Sequence, residues 1–298
     1  MDGRNLWRGG KPGNVHRTRN TAKTVFEHFL AGAIAINPQM RALATKGVSA
    51  AQSQRYEEVE IGKHMRLAVE ETQKWQRGGN INLGTVLLLS PLSVSAGISL
   101  ATGTVNAKRL RENLGYVLTN TTSQDAVELY EAIAAIKPGG LGHSPEFDVT
   151  DSRSTSDILE RQITLLDLFK ISSDWDDVSR EWVTDFEITF GIGYPAFFDT
   201  LKETNDVNIA TVHTYLTILS HVQDTLIKRK AGQGPAELVS KKARIILKEG
   251  GLLSQEGTDL LWKLDDQLNK KKGLLNPGTT ADLTAASIMV ALLEGLRI

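Results

Sequence analysis

Cysteine is absent from the 298 residues. That excludes disulfides, thiolate–metal sites and a cysteine nucleophile, and it suits a reducing compartment. An excess of either charge is missing as well: 34 Lys and Arg stand against 35 Asp and Glu, a formal net charge of −1. No large basic field is offered to duplex nucleic acid, and there is no acidic tail. The opening MDGRNLWRGGKPG lacks the apolar core of a signal peptide, and no lipidation motif occurs, so the expected location is cytoplasmic. Histidines 16, 28, 64, 143, 213 and 221 include no i, i+4 pair and no HExxH, which argues against a zinc site. No Walker loop, dinucleotide fingerprint or GxSxG is present. Runs of β-branched residues alternating with polar ones are also missing, which points to an all-α chain.

What is present is enough apolar residue, 41%, to bury a substantial core. The chain is organised around Gly78 to Leu100, GGNINLGTVLLLSPLSVSAGISL. From Gly84 onward every side is apolar or small, so a helix here has no face suited to water. The run falls short of the ~20 residues of a bilayer span and carries Ser90, Ser93, Ser95, Ser99 and Pro91. A buried central helix is therefore expected, kinked or ended in its first half by Pro91. Its polar entry, with Asn80 and Asn82 around Ile81, would place unpaired backbone N–H groups where they can face an anion.

The periodicity elsewhere predicts further helices. One covers 26–36 and closes near Asn37-Pro38, and another covers 55–76. A polar bridge at 102–109 follows the central run. Thr122 and Asp125 form a capping box, and Ser154 with Asp157 opens a helix bearing Leu159, Ile163, Leu166 and Phe169. Val178, Trp182, Phe186 and Phe190, each four apart, make one stripe ending at Gly191. Residues 207–227 make the next, Pro235 sits at a first helical position, and Leu260, Leu261, Leu264 and Leu268 mark one more. The last helix runs 281–296. The expected architecture is a single all-α domain over 1–298, of about ten helices.

Five polar, glycine-bearing turns feed or close these helices: KPGNVHR, GGNINLG, PGGLG, DTLIKRKAG and NPGTTADL. Glycine lets backbone approach a ligand, and neighbouring N–H groups can form an anion nest. Taken alone, each is an ordinary helix terminus. Five together point to a phosphate-rich ligand. Among the acids, Asp224 precedes Lys228 and Arg229 at the spacing of an exposed helical ion pair, yet it follows an apolar stripe and can point inward. Asp282 suits the first turn of the last helix. Glu27-His28 lies between Phe26 and Phe29, either facing solvent or forming a buried dyad.

In their order, these turns resemble the triphosphoribosyl-dephospho-coenzyme A synthase family. VSREWVTDFEITF and FEHFLAGAIAI resemble its archaeal and methylotroph branch. The likeness runs from about Lys11 to Leu296. It implies an all-helical fold and a glycosyl transfer: the 2′-hydroxyl of dephospho-coenzyme A attacks C1′ of the ribose of ATP, adenine leaves, and the triphosphate stays on the transferred sugar. It implies ATP as substrate and Mg²⁺ held by carboxylates. Carried over by motif, Lys11, Asn14, His16 and Arg17 sit at the phosphates, with Gly13 allowing close approach. Asn80, Asn82 and Gly84 belong to the central-helix motif, whose two amides orient ribose or phosphate oxygens. Asp224 and Asp282 are the first choices for metal ligands or charge stabilisers. Arg229 and Lys230 neutralise the triphosphate, and Asn276, Gly278, Thr279 and Thr280 line the last helix's anion-binding end. Glu27 is the candidate general base.

This chain departs from the family's pattern in three places. Asn80-Ile81-Asn82-Leu83-Gly84 stands where the citrate-lyase synthases have an Asn-Thr-His-Lys-Gly type motif. Asn20 and Lys23 stand where aspartates are usual, and only ten residues precede Lys11. Two other readings therefore stay open. One is the same pocket with an acceptor from pterin-type one-carbon cofactor synthesis. The other is a non-catalytic, nucleotide-binding helical protein. Nucleic acid and membrane are not expected partners, and the sequence does not give the oligomeric state.

Overall fold

The computed structural model describes residues 10–136, 139, 144 and 146–297. Fourteen α-helices are found among them and no strand, only an isolated antiparallel bridge between His16 and Arg19. The first seven are α1 (Phe26–Ser53), α2 (Ile61–Trp75), α3 (Leu83–Ala101), α4 (Ala107–Thr119), α5 (Ser123–Ile136), α6 (Ser154–Glu160) and α7 (Leu165–Ser172). The remainder are α8 (Asp177–Val183), α9 (Tyr194–Thr204), α10 (Val207–His221), α11 (Thr225–Ala231), α12 (Gln233–Lys248), α13 (Gln255–Asn269) and α14 (Gly278–Leu293). They group into two compact units. A first-half unit comprises Glu27–Glu187 with Leu292–Gly295. A second-half unit comprises Ile188–Ala291, the residues up to Phe26 and those from Leu296 on. The PGGLG turn lies outside the described residues except for Gly139, as does His143.

In the first-half unit α3 is the buried element expected. By length and composition it could cross a membrane, yet 78% of its apolar window is buried inside the structure. It does not end at Pro91. That proline lacks the N–H that would bond the Leu87 carbonyl one turn back, and the indole Nε1 of Trp182 on α8 donates to that carbonyl instead, at 3.2 Å. Three of the four serines have partners: Ser93 donates to the Leu89 carbonyl at 2.8 Å, Ser95 to the Leu110 carbonyl at 2.6 Å, and Ser99 accepts from the Asn113 amide of α4 at 2.9 Å, while the buried Ser90 hydroxyl has none. Gly47 of α1 and Gly97 of α3 let the two backbones touch. A Cβ on Gly97 would come within 1.9 Å of the Ala44 carbonyl oxygen, and one on Gly47 within 2.2 Å of that of Val94.

Several expected boundaries move. α1 runs through Asn37-Pro38 to Ser53: Pro38 frees the carbonyl of Ile34, a residue 60% exposed, where water can take it. Left-handed Glu60 divides 55–76 into a short 3₁₀ turn, Tyr56–Val59, and α2. α4 was not expected at all; its buried face is Leu110, Asn113, Leu114, Val117 and Leu118. The 154–169 helix breaks at left-handed Gln162, and α7 restarts on a Thr164–Asp167 capping box. The Thr122–Asp125 box is formed as expected.

The stripe Val178, Trp182, Phe186 and Phe190 is buried throughout, but not on one helix. Asp185 and Phe186 take positive φ, and a π-helical turn, Thr189–Gly193, leads into α9. α10 ends at His221, with Val222 extended, and α11 restarts behind Asp224. Pro235 is the third residue of α12, not the first. α14 begins at Gly278, ahead of the expected start. The second-half unit closes over a core that includes Val212, Tyr215, Leu216, Leu219, Ile227, Leu261, Leu264 and Leu268.

Candidate functional site

In the second-half unit, Lys11-Pro12-Gly13-Asn14 closes as a tight turn, the Asn14 N–H donating to the Lys11 carbonyl at 3.1 Å. Proline supplies the second position, and Gly13, at φ +78°, the left-handed third. A Cβ on Gly13 would sit 2.9 Å from Leu268 and 3.0 Å from Pro277. The glycine is thus required by turn and packing, before any ligand is considered. The Asn14 amide donates to the Tyr215 hydroxyl at 2.9 Å and to the Pro277 carbonyl at 3.3 Å, and Tyr215 in turn donates to the Pro12 carbonyl at 2.8 Å. Asn14 therefore joins the turn to α10 and to the loop before α14.

The other side of the loop is held by Asp265 of α13, which is 0% exposed. Its Oδ1 accepts from the Gly13 N–H at 2.8 Å and from the Asn269 amide at 2.7 Å. Its Oδ2 lies 2.7 Å from Arg19 Nε and 3.5 Å from His16 Nε2. His16 is buried, edge-on to Trp262, and its backbone exchanges two 3.0 Å hydrogen bonds with Arg19. Arg17 is exposed, its guanidinium 5.9 Å from the centre of the Phe26 ring.

Two helix N-termini meet at Asp224, which is 1% exposed. It is the cap of α11, and not a helix-interior partner of Lys228. Oδ1 accepts from the Ile227 N–H at 3.0 Å, and Oδ2 accepts from both the N–H and the hydroxyl of Thr280, each at 2.8 Å. Thr225 adds a hydrogen bond to Thr279 at 3.3 Å. Asn276 and Gly278 turn the chain into α14, the Gly278 N–H donating to the Asn276 carbonyl at 2.9 Å.

The charges gathered here are mixed, with cations in excess. Burial pushes the Asp224 carboxyl above its ordinary value, its hydrogen bonds and Arg229 opposing. Burial pushes the Lys11 ammonium down, with Asp282 opposing. Lys230, half-buried on α11, is pushed down by burial as well, against the pull of Asp224. Burial raises the Tyr215 hydroxyl well above its ordinary value, reinforced by Asp224 and Asp265. Ammonium and guanidinium groups and helix N-termini are donors of the kind that hold an anion of several charges.

Of the residues expected from sequence, Lys11, Gly13, Asn14, His16, Arg17, Asp224, Arg229, Lys230, Asn276, Gly278, Thr279, Thr280 and Asp282 all belong to this unit. Glu27, Asn80, Asn82 and Gly84 belong to the first-half unit. There Glu27 is exposed in the first turn of α1, Asn80 caps α3 by accepting from the Leu83 N–H at 3.1 Å, and Asn82 donates to the Thr72 hydroxyl at 3.2 Å. Gly84 is the second residue of α3. The sequence reading missed Asp265 and Tyr215. Asp265 lies beside Leu264 and four on from Leu261, an acid on an apolar face, and that signal was available. Tyr215 lies three on from Val212 and four before Leu219, where it reads as core.

Among the described residues no three His, Asp or Glu side chains are grouped to hold a metal. A protein-only cage for Mg²⁺ is therefore not formed by them. A Mg²⁺ carried by phosphates needs only one or two carboxylates. Asp224 has about one of roughly four acceptor sites left after its three hydrogen bonds.

A family model described as CitG: ATP:dephospho-CoA triphosphoribosyl transferase matches residues 8–297. A 2-(5''-triphosphoribosyl)-3'-dephosphocoenzyme-A synthase of Klebsiella pneumoniae is 32% identical over 93 residues, 31% of this chain and 30% of that protein. The synthase of Escherichia fergusonii is 32% identical over 103 residues, 34% of this chain and 33% of its own length. The chain thus aligns with about a third of the length of these curated relatives. A crystal structure from Archaeoglobus fulgidus, provisionally described as a triphosphoribosyl-dephospho-coA synthase, superposes with a TM-score of 0.67 at 27% identity. That match covers 91% of this chain and all of the other.

Proposed function

The chain belongs to the ATP:dephospho-CoA triphosphoribosyl transferase family, and we propose that it moves the triphosphoribosyl group of ATP onto the 2′-hydroxyl of 3′-dephospho-CoA, releasing adenine. In this reaction the bond from ribose C1′ to the adenine nitrogen breaks and a bond from C1′ to the acceptor oxygen forms. The hydroxyl proton passes to a base, and adenine leaves protonated. What supports the reading is that the buried Asp224 takes donors from the N-termini of both α11 and α14, and that Asp282 of α14 acts electrostatically on Lys11.

In this account Lys11, Arg229 and Lys230 neutralise the triphosphate, while Asn276, Gly278 and Thr279 present backbone and hydroxyl groups to its oxygens. Asp224 keeps those two helix ends in place and stabilises charge on the sugar as the base departs. Asp282, with Asp224, would hold a Mg²⁺ delivered on the phosphates, and that ion would offset their charge. Asn80 and Asn82 orient the ribose, and Glu27 takes the acceptor proton. That residues 1–298 act as one domain, in the cytoplasm, is part of the same proposal.

The test is to incubate the protein with ATP, Mg²⁺ and 3′-dephospho-CoA and to separate the purine products. Free adenine that depends on the acceptor supports the reading. ADP or AMP without adenine overturns it.

A further inference from the structure

Both turns of the 11–19 loop meet at the Asp265 carboxylate. One oxygen holds the Gly13 N–H, in the middle of the turn that starts at Lys11. The other faces Arg19 and His16, the two residues whose backbones pair to close the second turn. Arg19 also reaches Asp266, at 2.6 Å, and Asn269 fixes Asp265 from its own helix. A fully buried carboxylate is costly unless it is paired and hydrogen-bonded. Here Oδ1 is hydrogen-bonded to the loop, and Oδ2 is ion-paired with Arg19 at 2.7 Å without a hydrogen bond, so the acid serves the loop's conformation.

We propose that Asp265 is a positioning residue for phosphate binding: by clamping the Lys11–Asn14 turn and the His16–Arg19 pair, it sets the direction in which Lys11 presents its ammonium. The inference deepens the triphosphate reading above and depends on it. Asp265 acts through Lys11, because moving the Gly13 amide rotates the turn that Lys11 begins. Lys11 lies close enough to Asp282 to feel its charge. A role in core stability alone would not discriminate between a chain with Lys11 and one without it.

The experiment is calorimetric titration of the full chain with inorganic tripolyphosphate, using Asp265→Asn, Lys11→Met and the double variant. Asp265→Asn alone and Lys11→Met alone are each expected to weaken binding about tenfold, and the double variant also about tenfold, not a hundredfold, since the two changes are coupled. Should Asp265→Asn not fold, Arg19→Gln, at a side chain 32% exposed, loosens the same clamp. It is expected to weaken binding about threefold in the natural chain and not at all beside Lys11→Met. Losses that multiply in either double variant overturn the inference and leave the triphosphate reading standing. Failure of the unaltered protein to bind tripolyphosphate or ATP overturns both.

Discussion

The Asp224 carboxylate accepts from Thr280 twice, from the backbone N–H and from the hydroxyl, each at 2.8 Å, while its other oxygen caps α11. One buried side chain thus satisfies donors at two helix N-termini. Burial raises its carboxyl above the ordinary value, and those donors oppose the rise.

Replacing Asp224 by Asn leaves one carbonyl oxygen where two acceptors are needed, and an amide N–H₂ must face either the Ile227 or the Thr280 donor. The expected loss is about 1–3 kcal/mol, the cost of an unsatisfied buried group. Thr280→Val removes only the hydroxyl and should cost about 1 kcal/mol. Denaturant unfolding of both variants checks the order. Equal stability of Asp224→Asn and the natural chain would contradict the capping role.

The bond from Trp182 to the Leu87 carbonyl makes a second prediction. Trp182→Phe orphans that carbonyl, at an expected cost of about 1–3 kcal/mol, because Pro91 cannot supply the missing donor. Pro91→Ala restores an N–H one turn away. In that background the same Trp182→Phe change should cost about 1 kcal/mol less. A cost unchanged by Pro91→Ala would show that the indole acts through packing alone.

Lys11 makes the third, through pH. Burial sets its ammonium below the ordinary 10.5, and Asp282 only partly restores it. Charged Lys11 binds phosphate, so tripolyphosphate affinity should fall as pH rises through a value under 10.5. The unfolded chain keeps that proton longer than the folded one, so in the same window stability contributed by this group rises with pH. Lys11→Arg, which stays charged, should flatten the affinity profile. Calorimetry and unfolding across the alkaline range read both effects, and an affinity independent of pH in the natural chain would contradict this assignment.

The sequence showed helices and their apolar faces more clearly than their ends. The stripe Val178, Trp182, Phe186 and Phe190 is buried as its spacing implied, yet the backbone turns left-handed at Asp185 and Phe186. Burial fixes which residues point inward, and it does not require one continuous helix. Pro38 and Pro91 misled for the converse reason. A proline ends a helix only when the carbonyl it frees has no other partner; exposure at Ile34 and Trp182 at Leu87 are both set by tertiary structure.

Much of the site was legible from local turn chemistry: KPGN closes as the residues dictate, and NPGTT opens a helix. For Asp224 the sequence leaves a helical ion pair and an inward-pointing side chain both open, because its distant partner, Thr280, cannot be seen from neighbours in sequence. Asp265 stands on an apolar face, which marks it as buried, but its partners lie some 250 positions away, at Gly13, His16 and Arg19, so its role is not legible locally.

ATP labelled in its γ-phosphate gives the most direct measurement of the central claim. Incubated with the protein, Mg²⁺ and 3′-dephospho-CoA, the label should move onto the dephospho-CoA product, with adenine released in equal amount and all three phosphates retained. Label recovered as inorganic phosphate or pyrophosphate, with the adenine still bound to ribose, would contradict it.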